Sequence, residues 1–410
     1  MLKPFRGTYD QLPDAARRFD HIVDQMKHVA SLYGFGKIST PMFEYLNVFT
    51  HSLGDTSDIV TKEMFTFEDR HGDKIALRPE GTAGVMRAMI SNKLAQDLPQ
   101  KLFYYGPMFR YERPQKGRYR QFHQLGTELI GDPSPQADIE VIAMGWDLLC
   151  QLGLKNKVIL EINTLGDKES RENYRKALVD HFKHHAADLS EDSRVRLEKN
   201  PMRILDSKSD ADQPFIQTAP QMKEHLTESA KAFFDQVLKG LTALEIPYTL
   251  NSRLVRGLDY YCHTAFEFTS THLGSQSAVL AGGRYDNLSE IMGGSALPGV
   301  GWAAGIERLD LLLDQVPEAP RPICIVPIGL EAETKAVKLA HDLRQSGICV
   351  NSKNQGNLKS RMKYANKIKA KVAILMGEDE LKNQSVIVKD LDTGTQETLP
   401  LANLITYLKK

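Results

Sequence analysis

Apolar residues recur every three to four positions over residues 13–34, the period of an amphipathic helix, and Gly34 and Gly36 close it. "KISTPMFEYLNVF" then reads as a strand with a break at Pro41. "LFYYGPMFRYE" and "RQFHQLGTELIG" alternate as two strands, and "RPQKGRY" joins them as a loop. A helical pattern over 135–153 stops at Gly153, and "KVILEINTLGD" follows as a strand. From 168 to about 245 the chain turns charged and helical, which predicts an inserted helical subdomain. The strand signal returns at "YTLNSRLVRGLDYY" and runs on through "TAFEF". "SAVLAGGRYDNL" is a strand entering a glycine turn, and "PGVGWAAGIERLDLLLDQ" a glycine turn leading into a helix. "VPEAPRP" reads as a linker. Beyond it "ICIVPIG", a helix over 331–346, "ICVNS", a helix over 357–369 and "KVAILMG" spell a separate small α/β domain.

The 410 residues suit two or three domains with a sizeable core, and 25 % charged with 41 % hydrophobic residues is ordinary globular composition. Lys+Arg and Asp+Glu balance at 52 each, yet residues 321–410 carry fifteen basic against nine acidic side chains. The basic surplus therefore sits on the C-terminal module, where a solvated surface and a nucleic-acid contact are both open. Cys150, Cys262, Cys324 and Cys349 are scattered with no CxxC pair, so no zinc site or disulfide framework is suggested. "MLKPFRGTYD" lacks an apolar leader and no apolar run spans a bilayer, so the expected place is the cytoplasm, with no membrane partner.

Candidate chemistry gathers in four places. In "FRYERPQKGRYRQFHQLGTE", strand alternation puts Arg110 and Glu112 on one face of the first arm, and Phe122, Gln124 and Glu128 on one face of the second. Phe109, Tyr111, Leu125 and Leu129 face the other way, as a core would. The polar face offers a ring for a planar base, a guanidinium for a phosphate and acceptors for amines. A surface hairpin laced by ion pairs is the plainer alternative. Arg113, Lys116 and Arg118 make the joining loop basic. Gly299, Gly301, Ala303, Ala304 and Gly305 leave room for a ligand beside the backbone, with Arg308 in the helix that follows. In "LRPEGTAGVMRAMI", Glu80 and Thr82 suit either an ammonium group or a helix cap. "RGLDYYCHTAFEF" packs Arg256, Tyr260 and Tyr261 against the start of a strand, as the wall of a polar pocket would; His263 reads as a strand neighbour. No Walker A motif and no GxGxxG after a strand occurs, so a bound nucleotide would need another cradle.

Taken together, the chain resembles the class II aminoacyl-tRNA synthetases, and among them the histidyl-tRNA synthetase family. "FRYERPQKGRYRQFHQLGTE" is similar to the family's motif 2, "GVGWAAGIERL" to motif 3, and the region around "ISTPMFEY" to motif 1. "RGLDYY" and "AGGRYD" resemble the two peptides peculiar to the histidyl enzymes. The resemblance implies an α+β fold. An antiparallel catalytic sheet flanked by helices would occupy 1–317, with the helical insertion at about 168–245, and an α/β anticodon-binding domain 321–410. It implies that Arg110 holds the α-phosphate of ATP, Glu112 reads the adenine amine and Phe122 stacks on the base. Arg118 and Arg308 would grip the outer phosphates. Glu80, Gly81, Thr82 and Gln124 would hold the α-amino end of histidine, and Glu128 and Tyr261 the imidazole nitrogens, with Tyr260 and Tyr285 in the same pocket. Arg256 would lie between carboxylate and α-phosphate, and with Arg110 carry the chemistry. Gln115 and Lys116 would meet the acceptor end of tRNA(His).

The implied reaction joins L-histidine to ATP as an adenylate, releases pyrophosphate, and passes the histidyl group to the tRNA. Magnesium accompanies the ATP, no metal site on the protein is assigned, and a homodimer is implied. Two other readings are a regulatory subunit of ATP phosphoribosyltransferase that senses histidine, and a tRNA-sensing module. The arginines of motifs 2 and 3 and the basic C-terminal domain speak against the first; the lack of a fused kinase sequence speaks against the second.

Overall fold

The computed structural model describes residues 2–54, 57–255, 260–274 and 277–409. They form two compact units, Met1–Pro317 and Glu318–Lys410. The strands in chain order are β1 (Gly36–Lys37), β2 (Phe43–Tyr45), β3 (Thr66–Glu68), β4 (Lys74–Leu77), β5 (Gln100–Phe109), β6 (Gln121–Ile130), β7 (Ile159–Thr164) and β8 (Tyr248–Leu250). They continue with β9 (Cys262–Thr269), β10 (Ala278–Arg284) and β11 (Gly299–Gly305) in the first unit. The second unit adds β12 (Ile323–Pro327), β13 (Val350–Ser352), β14 (Val372–Met376), β15 (Ser385–Asp390) and β16 (Gln396–Pro400).

Eight strands build the main sheet in the order β1-β5-β6-β11-β10-β9-β7-β8, antiparallel except for the outermost pairs β1/β5 and β7/β8. Period-two alternation divides its side chains between two cores. Leu125 and Leu129 point to one face, which the helices Pro13–Leu32 and Pro135–Gln151 cover. Tyr104, Tyr260, Tyr261 and Tyr285 belong to the other, together with the helix Thr82–Ser91. The first helix has Pro at its start and buries Ile22, Val23, Met26, Val29 and Ala30, one stripe of a 3.6-residue period. Its end is set by Gly34 at φ +74°.

The glycine-rich run at 299–305, expected as a turn, is a central strand. Glycine weakens a strand unless something needs the space of its side chain, and here something does. A Cβ on Gly299 would lie 2.3 Å from the Tyr285 ring, and one on Gly301 1.9 Å from Glu128 Oε2. The small residues of β11 thus give room to Glu128 on β6 and to Tyr285 just after β10. Tyr111, expected in the core, is 51 % exposed. Strand β5 ends at Phe109, so the alternation stops before Tyr111, which instead meets Phe65 edge-on and lies under the Arg120 guanidinium.

Other expectations shift in smaller ways. "LNVF" opens the helix Leu46–Leu53 rather than extending a strand. The strand read through "YTLNSRLV" stops at Leu250, where the Asn251 side chain accepts the Arg253 amide and turns the chain. Within the expected helical insertion, Tyr174, Leu178, Phe182, Ile204, Ile216 and Met222 form a small core of their own. The helix Glu228–Ala243 does not join it: Val237 and Leu241 enter the main core. Gly240 lets it approach Ile139 so closely that a Cβ would fall 2.2 Å away. In the second unit the parallel β13-β12-β14 order is extended by an antiparallel hairpin, β15-β16, which the sequence reading did not include.

Gly282→Ala tests the close packing of β10 on β11. Its Cβ would sit 2.1 Å from the Gly301 carbonyl oxygen and 2.6 Å from Trp302 Cβ, and backbone cannot rotate aside as a side chain can. The variant is expected to lose about 1–3 kcal/mol or more in thermal or denaturant unfolding. Gly36→Ala, with its nearest atom at 3.9 Å, should unfold like the parent.

Candidate active site

On the tyrosine-bearing face of the sheet lies a cavity of about 550 Å³. Strand pairing explains which residues reach it. Met108 pairs with Phe122, Gly106 with Gln124, Tyr104 with Gly126 and Leu102 with Glu128, so Phe122, Gln124 and Glu128 share one face. Gly301 pairs with Glu128 and with Gly283, which carries the floor across to β10 and the adjoining Tyr285.

One end of the cavity is lined by Glu80, Thr82, Gln124, Tyr260, Tyr261 and Tyr285. Glu80 is buried, and its carboxylate accepts the amide hydrogens of Thr82 (2.7 Å) and Ala83 (2.8 Å), in the first turn of the helix Thr82–Ser91. Cap and cavity wall are therefore one residue. Burial raises its pKa, and those amides pull it back. Among the described residues, Gln124 Oε1 is buried without a hydrogen-bond partner. An unmatched acceptor on a cavity wall suits a ligand N–H, because leaving it empty costs about 1–3 kcal/mol.

Glu128 and Gly81 are not on the wall. Glu128 is 1 % exposed and sits behind it. Its Oε1 accepts the hydroxyls of Thr82 (2.8 Å) and Tyr104 (3.3 Å), and Oε2 accepts that of Tyr285. Burial drives its pKa up to about 8, against the pull of those hydroxyls. Gly81 makes room: a Cβ there would lie 2.2 Å from the Tyr104 ring. Tyr104 itself was missed, because "LFYYG" reads as plain strand; its place on the same face as Gln124 and Glu128 was the available signal.

The other end is cationic. Arg110, Arg118 and Arg308 all line it. Arg110 lies with its guanidinium 5.4 Å from the Phe122 ring centre and donates to the Pro79 carbonyl oxygen. Arg118 donates to Glu112 at 2.5 Å, and Arg110 stands 3.8 Å from the same carboxylate. Arg308 donates to the Ala278 carbonyl oxygen; burial first, then the nearby Arg118, lower its pKa to about 10. Three guanidiniums around Glu112, with Glu63 also near Arg110 and Arg118, leave an excess of positive charge suited to a polyanion. Two further residues escaped the sequence reading. Glu307 accepts both the His123 amide and the Tyr9 hydroxyl, which holds the motif after β11 to the β6 arm and the N-terminal segment. Lys208, from the helical insertion, also reaches the cavity.

Gln115 and Lys116 are exposed at the hairpin tip, away from the cavity wall, where Gln115 and Arg118 exchange backbone hydrogen bonds around Gly117 at φ +73°. Arg256 lies outside the described residues. His263 stays a strand neighbour, its ring against Phe233. Among the described residues no group of three or more His, Cys, Asp or Glu could hold a metal ion.

The raised pKa of Glu128 has a consequence for stability. An acid whose folded pKa exceeds its ordinary 4.5 keeps its proton longer in the native state. The stability it contributes is full at low pH and is lost as pH rises from about 4.5 through about 8. The ligand-free protein should therefore lose more thermal stability between pH 5.5 and 8 than Glu128→Gln does. Equal slopes in thermal melts would show that Glu128 does not titrate in that window.

Comparisons with known proteins bear on the family of the whole chain. A family model described as histidyl-tRNA synthetase matches residues 7–309, and one described as anticodon binding domain matches 322–410. The histidine–tRNA ligase of Rhodospirillum rubrum is 56 % identical over 411 residues, covering 100 % of this chain and 99 % of that one. The apo crystal structure of the Staphylococcus aureus histidyl-tRNA synthetase superposes with a TM-score of 0.86 at 38 % identity, covering 100 % of both chains. A structure from Bacillus halodurans, titled as an ATP phosphoribosyltransferase regulatory subunit/histidyl-tRNA synthetase, covers 92 % of this chain and 98 % of its own at TM-score 0.66 and 25 % identity. From the motif hairpin to the C-terminal unit, the chain belongs to the histidyl-tRNA synthetase family.

Proposed function

We propose that this chain carries out the ligation of L-histidine to tRNA(His) within the cavity described above, using its two ends for the two small substrates. The observation that carries this reading is the contrast between them. One end offers acceptors, including the unmatched Gln124 Oε1, and the other offers Arg110, Arg118 and Arg308.

At the first end, Glu80, Thr82 and Gln124 accept the α-ammonium group, and Tyr261 and Tyr285, the latter backed by Glu128, read the imidazole. Neutral imidazole has one donor and one acceptor nitrogen, so a side chain lacking either leaves buried groups unpaired and is rejected strongly. At the second end, Phe122 stacks on adenine, Glu112 accepts its amine, Arg110 takes the α-phosphate, and Arg118 and Arg308 take the outer phosphates. Arg118 donates to Glu112, which places the carboxylate beside the guanidinium that takes the outer phosphates. Magnesium would accompany ATP as part of that substrate and offset the charge of its phosphates.

The chemistry requires no protein nucleophile. A carboxylate oxygen of histidine attacks the α-phosphorus, the bond to the bridging oxygen of pyrophosphate breaks, and charge develops on the α-phosphate oxygens. Arg110 and Arg256 stabilise it. The terminal ribose hydroxyl of the tRNA then attacks the carbonyl carbon of the adenylate, and AMP leaves. Gln115 and Lys116, exposed on their loop, contact the acceptor end, with the neutral amide suited to a base edge and the lysine to a phosphate. The second unit takes the anticodon, and exposed Lys359, Lys363 and Lys367, four residues apart on the helix Leu358–Lys367, support a phosphate-facing side.

Two chains pair through the small sheet β2-β4-β3. Phe43, Tyr45 and Phe67 are all exposed there, and the pairing of Phe43 with Leu77, and of Tyr45 and Phe67 with Ile75, puts them on one face. The cytoplasm is the site of action: no described helix is long and apolar enough to cross a membrane, and all four cysteines are free.

Arg256→Ala separates chemistry from binding. Adenylate formation, followed in single turnovers, should slow on the order of 10²- to 10³-fold, the loss typical of one oriented donor, while histidine affinity changes only a few-fold. Unchanged turnover with weakened affinity would make Arg256 a binding residue and remove it from the chemical step.

A further inference from the structure

Tyr104 belongs to none of the motifs, yet two parts of the fold are shaped around it. It sits on β5 opposite Gly126 of β6 and is 5 % exposed. A Cβ on Gly126 would lie 2.5 Å from its hydroxyl oxygen, and a Cβ on Gly81 would lie 2.2 Å from its ring. Two separate segments thus forgo side chains to admit it. Phenylalanine would fill the same space except for the hydroxyl, so the packing alone does not call for tyrosine.

The hydroxyl has two polar neighbours, the Glu128 carboxylate and the Thr82 hydroxyl. It donates to Glu128 Oε1 at 3.3 Å, beside the Thr82 hydroxyl at 2.8 Å, while Tyr285 donates to Oε2. Thr82 and Tyr285 line the cavity; Tyr104 and Glu128 stand behind them. A hydroxyl has one proton. With that proton given to Glu128, the oxygens of Thr82 and Tyr285 can only accept from a ligand. In its ionised state, which arriving ligand N–H groups favour, the buried Glu128 carboxylate therefore sets the polarity of two wall groups that line the cavity.

We propose that Tyr104 is a positioning residue of the amino-acid end: its hydroxyl seats the Glu128 carboxylate so that Thr82 and Tyr285 present acceptors to the N–H groups of histidine. This rests on the reading that Glu128 serves histidine recognition. Without the third donor, Oε1 keeps only Thr82, the carboxylate is freer to turn, and the two wall hydroxyls lose their fixed direction. The nucleotide end does not depend on Tyr104.

The test is Tyr104→Phe beside Glu128→Gln, in histidine-dependent ATP–pyrophosphate exchange with the full chain, together with thermal melts. Tyr104→Phe is expected to raise the KM for histidine about tenfold, the loss of one hydrogen bond to a charged group. Its kcat and its KM for ATP should stay within about twofold of the parent, since catalytic groups keep their places. Glu128→Gln should raise the histidine KM further. If Tyr104→Phe matches the parent while Glu128→Gln does not, the role of Tyr104 is overturned and the reading of Glu128 stands. If Glu128→Gln also matches the parent, the reading of the pocket falls and takes this proposal with it. A Tyr104→Phe protein that loses kcat, ATP affinity and melting temperature together would mark Tyr104 as a packing residue and likewise overturn the proposal.

Discussion

A carboxylate removed from water must be matched by donors, and around Glu128 that requirement organises the end of the cavity proposed for the amino acid. Thr82 comes from the start of a helix, Tyr104 from β5 and Tyr285 from the turn after β10. Each gives its hydroxyl proton to the same buried group on β6. Burial pushes the Glu128 pKa up and the hydroxyls pull it down, so the group is held between its two states. Ligand N–H groups arriving at the wall favour the ionised one. In the proposed function recognition and local packing share this one network, and removing one member leaves the rest undersatisfied.

That network needs space, and the sheet supplies it by omission. Gly301 clears the volume taken by Glu128, Gly299 that of Tyr285, and Gly81 and Gly126 that of Tyr104. On the opposite face of β10, the neighbour of Tyr285 does the reverse. Arg284 is fully buried, donates to Asp138, Asp286 and the carbonyls of Asp132 and Ser134, and so ties the end of β10 to the loop that leaves β6. Asp138 stands in the first turn of the helix beneath the sheet, and its carboxylate is held by the same guanidinium. Breaking such a pair by removing one partner leaves an uncompensated buried charge. The end of β10, next to Tyr285, is thereby tied from below to the segment that follows β6, while the hydroxyls join Tyr285 and Glu128 from above.

Much of this was legible because alternation along a strand survives folding. Phe122, Gln124 and Glu128 share a face in the structure as their even numbering requires, and Leu125 and Leu129 face the core. The alternation misled only past Phe109, where the strand ends and Tyr111 turns to solvent. The glycine run at 299–305 was misread because a strand made of glycine has no local reason to be one; its reason is the bulk of residues distant in sequence. Glu128 was recognised as part of the site but not as lying behind its wall. Whether a carboxylate or the hydroxyl it orients meets the ligand depends on side-chain packing that spacing does not encode. Tyr104 was invisible for the same cause, since an aromatic residue in an apolar strand has the pattern of any core residue.

The central claim is that the acceptor-lined end of the cavity, set by Glu128 and its hydroxyls, selects histidine before any tRNA is bound. ATP–pyrophosphate exchange measured without tRNA, for each of the twenty amino acids in turn, addresses it directly. Exchange with histidine alone is the result this account predicts. Comparable exchange with glutamine, proline or any other amino acid that lacks an imidazole would contradict it.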